Sequence, residues 1–191
     1  MSTTTASKLG FYDNPRFEII GGEIYAMAAA SINHSRVSVK INHIFQRYLS
    51  GRWCESFLEA DVFLEGDNVI PDIMIVCDKD KIKPDGIHGA PDLVVEILSP
   101  TTARIDKDFK MKLYERGGIR EYWLVDPANK VVDVYVLEDN RLVLSGVYGI
   151  IPDELLVKFP EDYRRKPEDV FSSRIFPDME VSLAEVFMHV S

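Results

Sequence analysis

Residues 92–115 read DLVVEILSPTTARIDKDFKMKLYE. In this stretch Glu96 interrupts an apolar run, with Leu93, Val94 and Val95 before it and Ile97 and Leu98 after it. Such a run predicts a strand buried on both faces. A carboxylate there is costly unless it is paired or bound to a cation. Ser99-Pro100 ends the strand. Thr101 or Thr102 is placed to cap a helix that begins near Ala103 and stops at Gly117-Gly118, with Asp106 in its first turns complementing the helix dipole. The reading of the chain turns on what answers Glu96.

Outward from this unit the pattern alternates. FEIIGGEIYAM predicts a hairpin around Gly21-Gly22. Ser31 to Leu49 carries Val37, Ile41, Ile44, Phe45 and Tyr48 at helical spacing. WCESFLEADVFLEG and NVIPDIMIVCD predict strands separated by a turn at Gly66-Asp67-Asn68, and KDKIKPDGIHGAP a polar loop. IREYWLVDP, KVVDVYVLED and RLVLSGVYG predict three further strands, and SLAEVFMHV a closing amphipathic helix. The order predicts an α/β (α+β) fold, a mixed sheet flanked by helices. Residues 1–13 are expected to form a disordered tail, residues 14–191 one domain, and residues 151–169 a charged insertion that includes the basic cluster YRRKPED.

The 191 residues are 46% hydrophobic and 28% charged, enough apolar material for a core. The net charge is -9, with 22 basic against 31 acidic residues, which excludes general electrostatic affinity for nucleic acid or anionic membrane but not a local basic groove. Cys54 and Cys77 form no C-x-x-C pair and are expected to be reduced, buried thiols. The polar start MSTTTASKLG has no apolar signal core, and no run approaches the roughly 18–20 apolar residues of a membrane span. A cytoplasmic protein is expected.

Two partners for Glu96 stand out. Asp72, in VIPDIMIV, heads another apolar run, and Pro71 marks a strand start or edge. On a neighbouring strand Asp72 would converge with Glu96, and two such carboxylates repel unless a divalent cation lies between them. Mg²⁺ or Mn²⁺ suits hard oxygen ligands of this kind. Lys110, one to two turns into the following helix, is the other partner; Lys107 lies three residues before it and Tyr114 four after it. His34, near a helix start, is a candidate for the cleft, and Glu18 or Glu23 at the Gly-Gly turn could add a carboxylate.

Plainer readings stand beside these. Glu96 also reads as a structural acid paired with a lysine or arginine, Lys110 with Asp106 as a surface pair, and Tyr114 as core. His34 also reads as a capping or solvated histidine. Pro91-Asp92 repeats the Pro-Asp pattern, but Asp92 falls at the opposite end of its strand from the expected site. His43, His88 and His189 show no metal-ligand spacing.

Pro71-Asp72, the run Asp92 to Pro100, then Asp106, Lys110 and Tyr114, and finally the segment Gly118 to Pro127 with its E-Y-W-L-V-D-P, form an ordered string. It resembles the Uma2, or DUF820, family, which is similar to the PD-(D/E)xK nuclease superfamily; with FEIIGGEIY and IFPDMEVSLAEVF the likeness runs from about residue 15 to 188. The resemblance implies a restriction-endonuclease-like fold and a metal-dependent DNA endonuclease working as a homodimer. It implies Asp72, Glu96 and the backbone carbonyl of Ile97 as ligands of Mg²⁺ or Mn²⁺. The superfamily lysine falls at position 98, where this chain has Leu98, so Lys110 becomes the relocated lysine and Lys107 its fallback. Lys110→Ala is then expected to spare folding. A catalytically silent binding or assembly module on the same fold is the alternative.

Overall fold

The structure is a computed structural model that describes residues 16–27, 29–100, 102–151, 153–158 and 169–191. The expected N-terminal tail and most of the charged insertion, YRRKPED up to Glu168 included, lie outside the described residues.

The central sheet is built from β3 (Glu55–Leu58), β6 (Ile73–Val76), β9 (Leu93–Ile97), β10 (Glu121–Asp126), β11 (Val131–Glu138) and β12 (Arg141–Gly149), in the spatial order β12-β11-β10-β9-β6-β3. Among the described strands of this sheet only β9 and β10 pair in parallel, and the helix between them supplies the crossover such a pair requires. A second sheet contains β1 (Phe17–Ile20), β2 (Glu23–Ala26), β4 (Val62–Leu64), β5 (Asp67–Val69), β7 (Ile82–Lys83) and β8 (Gly86–His88), in the order β2-β1-β5-β4-β8-β7. The expected fold class, a mixed α/β structure, is what the chain forms.

Side-chain alternation sorts the two cores. Ile73, Ile75, Leu93, Val95 and Ile97 face helix α1 (Ile32–Leu49), whose Val37, Ile41, Ile44 and Phe45 are buried against them. The short C-terminal elements, β13 (Val170–Ser172), β14 (Glu180–Ser182) and α3 (Leu183–Val186), complete that layer. Met74, Val76 and Val94 face the other way, onto Leu113 and Tyr114 of α2 (Met111–Gly117) and onto the second sheet. Glu96 keeps the parity of Val94, so it points into this second layer.

The helix after β9 is not regular. Ile105–Lys110 is a π-helix that runs directly into α2. Its start is held by Ser99: the Thr102 N–H donates to Ser99 Oγ at 3.2 Å and the Ala103 N–H to the Ser99 carbonyl at 3.0 Å. Of the two threonines expected to cap this helix, Thr101 lies outside the described residues, and Ser99 supplies the side-chain acceptor for the Thr102 N–H. Gly118, with φ 84°, ends the helix as anticipated.

Several expectations are corrected. Asp67 and Asn68 belong to β5; the turn is Glu65-Gly66, with φ of 54° and 87°, the left-handed pair that a two-residue hairpin loop needs. The polar loop contains the hairpin of β7 and β8. The cysteines are not free: Cys54 and Cys77 form a disulfide. Glu55 pairs with Val76 across β3 and β6, so one further step in that register sets Cys54 opposite Cys77. Among the described residues no helix is long and apolar enough to cross a membrane.

Candidate functional site

Ile73 pairs with Val95 in the antiparallel β6–β9 ladder. One step further in that register brings Asp72 opposite Glu96. Both have the parity of the layer that holds α2 and the second sheet. Both line a cavity of about 700 Å³, together with Glu18, His34, Ile97, Asp106 and Lys110. Asp92 lies at the other end of β9, where it accepts from the Cys77 N–H at 2.8 Å and meets Arg120 at 3.2 Å. It is a structural acid, as its position on the strand implied.

Glu96 is 3% exposed, and the helix answers it with two donors on one oxygen. Lys110 Nζ donates to Glu96 Oε1 at 2.9 Å, and Tyr114 Oη to the same atom at 2.7 Å. The ammonium also lies 2.8 Å from Glu18 Oε1 and 3.6 Å from Asp106 Oδ1. Glu18 reaches it because Glu18 and Ile20 share the inner face of β1, and the Ile70 N–H donates to Glu18 Oε1 at 2.8 Å. Asp72 is held differently. The Ile97 N–H donates to Asp72 Oδ2 at 2.6 Å, and His34 Nε2, on the first turn of α1, stands 3.1 Å from that oxygen.

Three carboxylates, Glu18, Glu96 and Asp106, thus gather around one ammonium, and Asp72 lines the same cavity. Burial drives the Glu96 carboxyl well above the ordinary carboxylate range; Lys110 opposes this, and Asp106, Asp72 and Glu18 add to it. Asp106 is raised to about 6 by burial first, against the pull of Lys110 and a hydrogen bond from Thr102. Burial disfavours the Lys110 charge, yet Glu96, Glu18 and Asp106 outweigh it and raise its pKa. His34 is likewise raised: burial lowers it, but the hydrogen bond and charge of Asp72, with Glu59 and Asp106 behind, prevail.

The other expected residues divide. Tyr114 is core, as its plain reading had it, and it also touches Glu96. Lys107 is exposed and does not line the cavity; its charge acts on Asp133. Glu23 is exposed on β2, and of the two hairpin glutamates only Glu18 faces inward. The Lys110–Asp106 pair is buried rather than on the surface. Asp106, read as a dipole partner, is a cluster member; its spacing of four from Lys110, which is four from Tyr114, was the available signal.

An oxygen-rich set with surplus negative charge has the donor chemistry that Mg²⁺ or Mn²⁺ takes. Among the described residues no three His, Cys, Asp or Glu side chains are already gathered as a metal site. Lys110 occupies the space between Glu18 and Glu96.

Residues 6–156 match the model of the Uma2 family, described as "Putative restriction endonuclease". Two relatives come from Synechocystis sp. (strain ATCC 27184 / PCC 6803 / Kazusa). "Uncharacterized protein slr1290" is 33% identical over 129 residues, 65% of this chain and 68% of that protein. "Uncharacterized protein sll1609" is 30% identical over 140 residues, 69% of this chain and 78% of that protein. The fold is that of the crystal structure of a "putative nuclease belonging to DUF820" from Anabaena variabilis ATCC 29413, with a TM-score of 0.69 and 20% identity over 91% of this chain and 90% of that one. The fold is that of the mixed α/β class to which this DUF820 structure belongs. Within it, this chain belongs to the Uma2 (DUF820) family.

Proposed function

We propose that the protein is a metal-dependent endonuclease that hydrolyses phosphodiester bonds in DNA. The observation that carries this reading is the meeting of Asp72 and Glu96 on adjacent strands, with Lys110 on Glu96, in one cavity of a Uma2 chain. Asp72 and Glu96, with the carbonyl of Ile97, would hold Mg²⁺ or Mn²⁺. When bound, the cation polarises the phosphate and acidifies a water. Glu96 is aimed by Tyr114, and Lys110 restrains the excess negative charge that would otherwise repel a phosphate. With those carboxylates committed to a cation, Lys110 would be free to face charge developing on the phosphate. Leu98 packs beside the second core and leaves that position apolar, which supports the transfer of the lysine's role to the helix.

The test is a plasmid-nicking time course with MnCl₂ for the wild type, Asp72→Asn, Glu96→Gln and Lys110→Met. Nicking by the wild type and loss in both acid variants is the expected result. Activity in Glu96→Gln equal to wild type would end the reading. Duplex cleavage needs two scissions, and a symmetric homodimer would supply two sites; light scattering that finds only monomer at micromolar concentration removes that part.

A catalytically silent binding module is the second reading. It is favoured by the commitment of Lys110 to three carboxylates and by the net charge of -9. Calorimetric binding of Mn²⁺ without any nicking is the result that would select it.

A further inference from the structure

Two donors converge on one atom of Asp72. The Ile97 N–H reaches Oδ2 at 2.6 Å and His34 Nε2 reaches it at 3.1 Å. The donors come from different layers: Ile97 from the central sheet, His34 from α1. Their shared choice of Oδ2 fixes the rotation of the carboxylate, and Oδ1 takes part in neither contact. His34 is itself held in place. It lies in the first turn of an 18-residue helix, its backbone N–H donates to Ser31 Oγ at 3.2 Å, and its side chain is 13% exposed.

We propose that His34 is a positioning residue that, with the Ile97 N–H, sets the Asp72 carboxylate in the rotation that presents Oδ1 to a divalent cation. This rests on the reading of Asp72 as a metal ligand. The requirement on His34 is a proton at Nε2, which the imidazolium and one neutral tautomer both carry, so the role does not depend on the ring's charge. Ligating carboxylates held by outer hydrogen bonds in this way lose metal affinity when the outer partner is removed. A His34 that acted as a counter-ion would do the opposite, since removing it would free Asp72 for the cation.

Isothermal titration with MnCl₂ separates these roles. The variants are His34→Ala, which removes the donor, His34→Gln, whose amide nitrogen reaches the position of Nε2, and Asp72→Asn. Circular dichroism melts confirm folding, and if the alanine variant does not fold, His34→Leu fills the ring's space without a donor and replaces it. The expected result is Mn²⁺ affinity weakened ~10–100-fold in His34→Ala and restored to within about threefold of wild type in His34→Gln. Unchanged or tighter binding in His34→Ala overturns the proposal, as does equal weakening in both histidine variants. Asp72→Asn reports on the underlying reading: undiminished Mn²⁺ binding there removes the metal site itself, whatever the histidine variants do.

Discussion

Lys110 and Glu96, 14 residues apart in sequence, meet at 2.9 Å with 4% and 3% of their side chains exposed. A buried ion pair of this kind contributes little over an apolar replacement of both partners, but removing one partner strands the other. Here the stranded groups would be Glu96 and Glu18 together. Lys110→Ala therefore will not spare folding, contrary to the expectation for a helix surface position. Lys110→Met, which keeps most of the volume, should lose about 3–5 kcal/mol at pH 8. The loss should shrink near pH 5, where the acids can take up protons. Urea melts at the two pH values check both the size and the direction.

Asp106 gives a second pH signature. Its folded pKa of about 6 lies above the ordinary carboxylate value, so the folded state holds a proton that the unfolded state has released. The contribution is complete below the unfolded value near 4 and fades as pH rises through about 6. Asp106→Asn should thus gain on wild type as pH rises from 4 to 7, with each kcal/mol moving the melting temperature by roughly 2–4 °C. A melting-temperature difference that stays constant over this range would contradict the assignment.

Tyr114→Phe isolates one hydrogen bond. The ring packs edge-on against Tyr122 at 5.1 Å, and phenylalanine keeps that contact while removing the donor to Glu96. The expected cost is about 1–3 kcal/mol in a denaturant melt, the range for a hydrogen bond to a carboxylate. Under the nuclease reading, nicking should fall less than in Glu96→Gln, because Lys110 still contacts Glu96.

The Cys54–Cys77 bridge ties β3, at the edge of the central sheet, to the strand that Asp72 precedes. It spans a sequence separation of 23 residues. Loop closure of that size corresponds to about 3 kcal/mol. Dithiothreitol should lower the melting temperature of the wild type and leave that of the double variant Cys54→Ser, Cys77→Ser unchanged. Equal melting of wild type with and without reductant would contradict it.

What was legible in the residues was whatever local chemistry marks. Glu96 stood out because a carboxylate inside an apolar strand demands a partner, and Gly21-Gly22 and Gly118 signalled backbone turns. Asp72 could be preferred to Asp92 because Asp92 sits at the beginning of the strand that carries Glu96, at the end away from the site. What stayed hidden was register between distant segments. Nothing local distinguishes Glu18 from Glu23; the hairpin's orientation does, by turning one inward. Cys54 meets Cys77 only once β3 and β6 are paired. Strands as short as β7, β8, β13 and β14 lack the length for a periodic pattern, so tertiary pairing decides them. Lys107 and Lys110 were separated by a helical geometry that the regular period does not anticipate.

That geometry is the π-helix of Ile105–Lys110. A π turn carries about one residue more than an α turn, and such turns occur mostly as single bulges in α-helices. Were these residues to become a regular α-helix without losing one, the segments on either side would rotate relative to each other by about 100°. In this helix the wide turn is as much a part of the site as the side chains it carries.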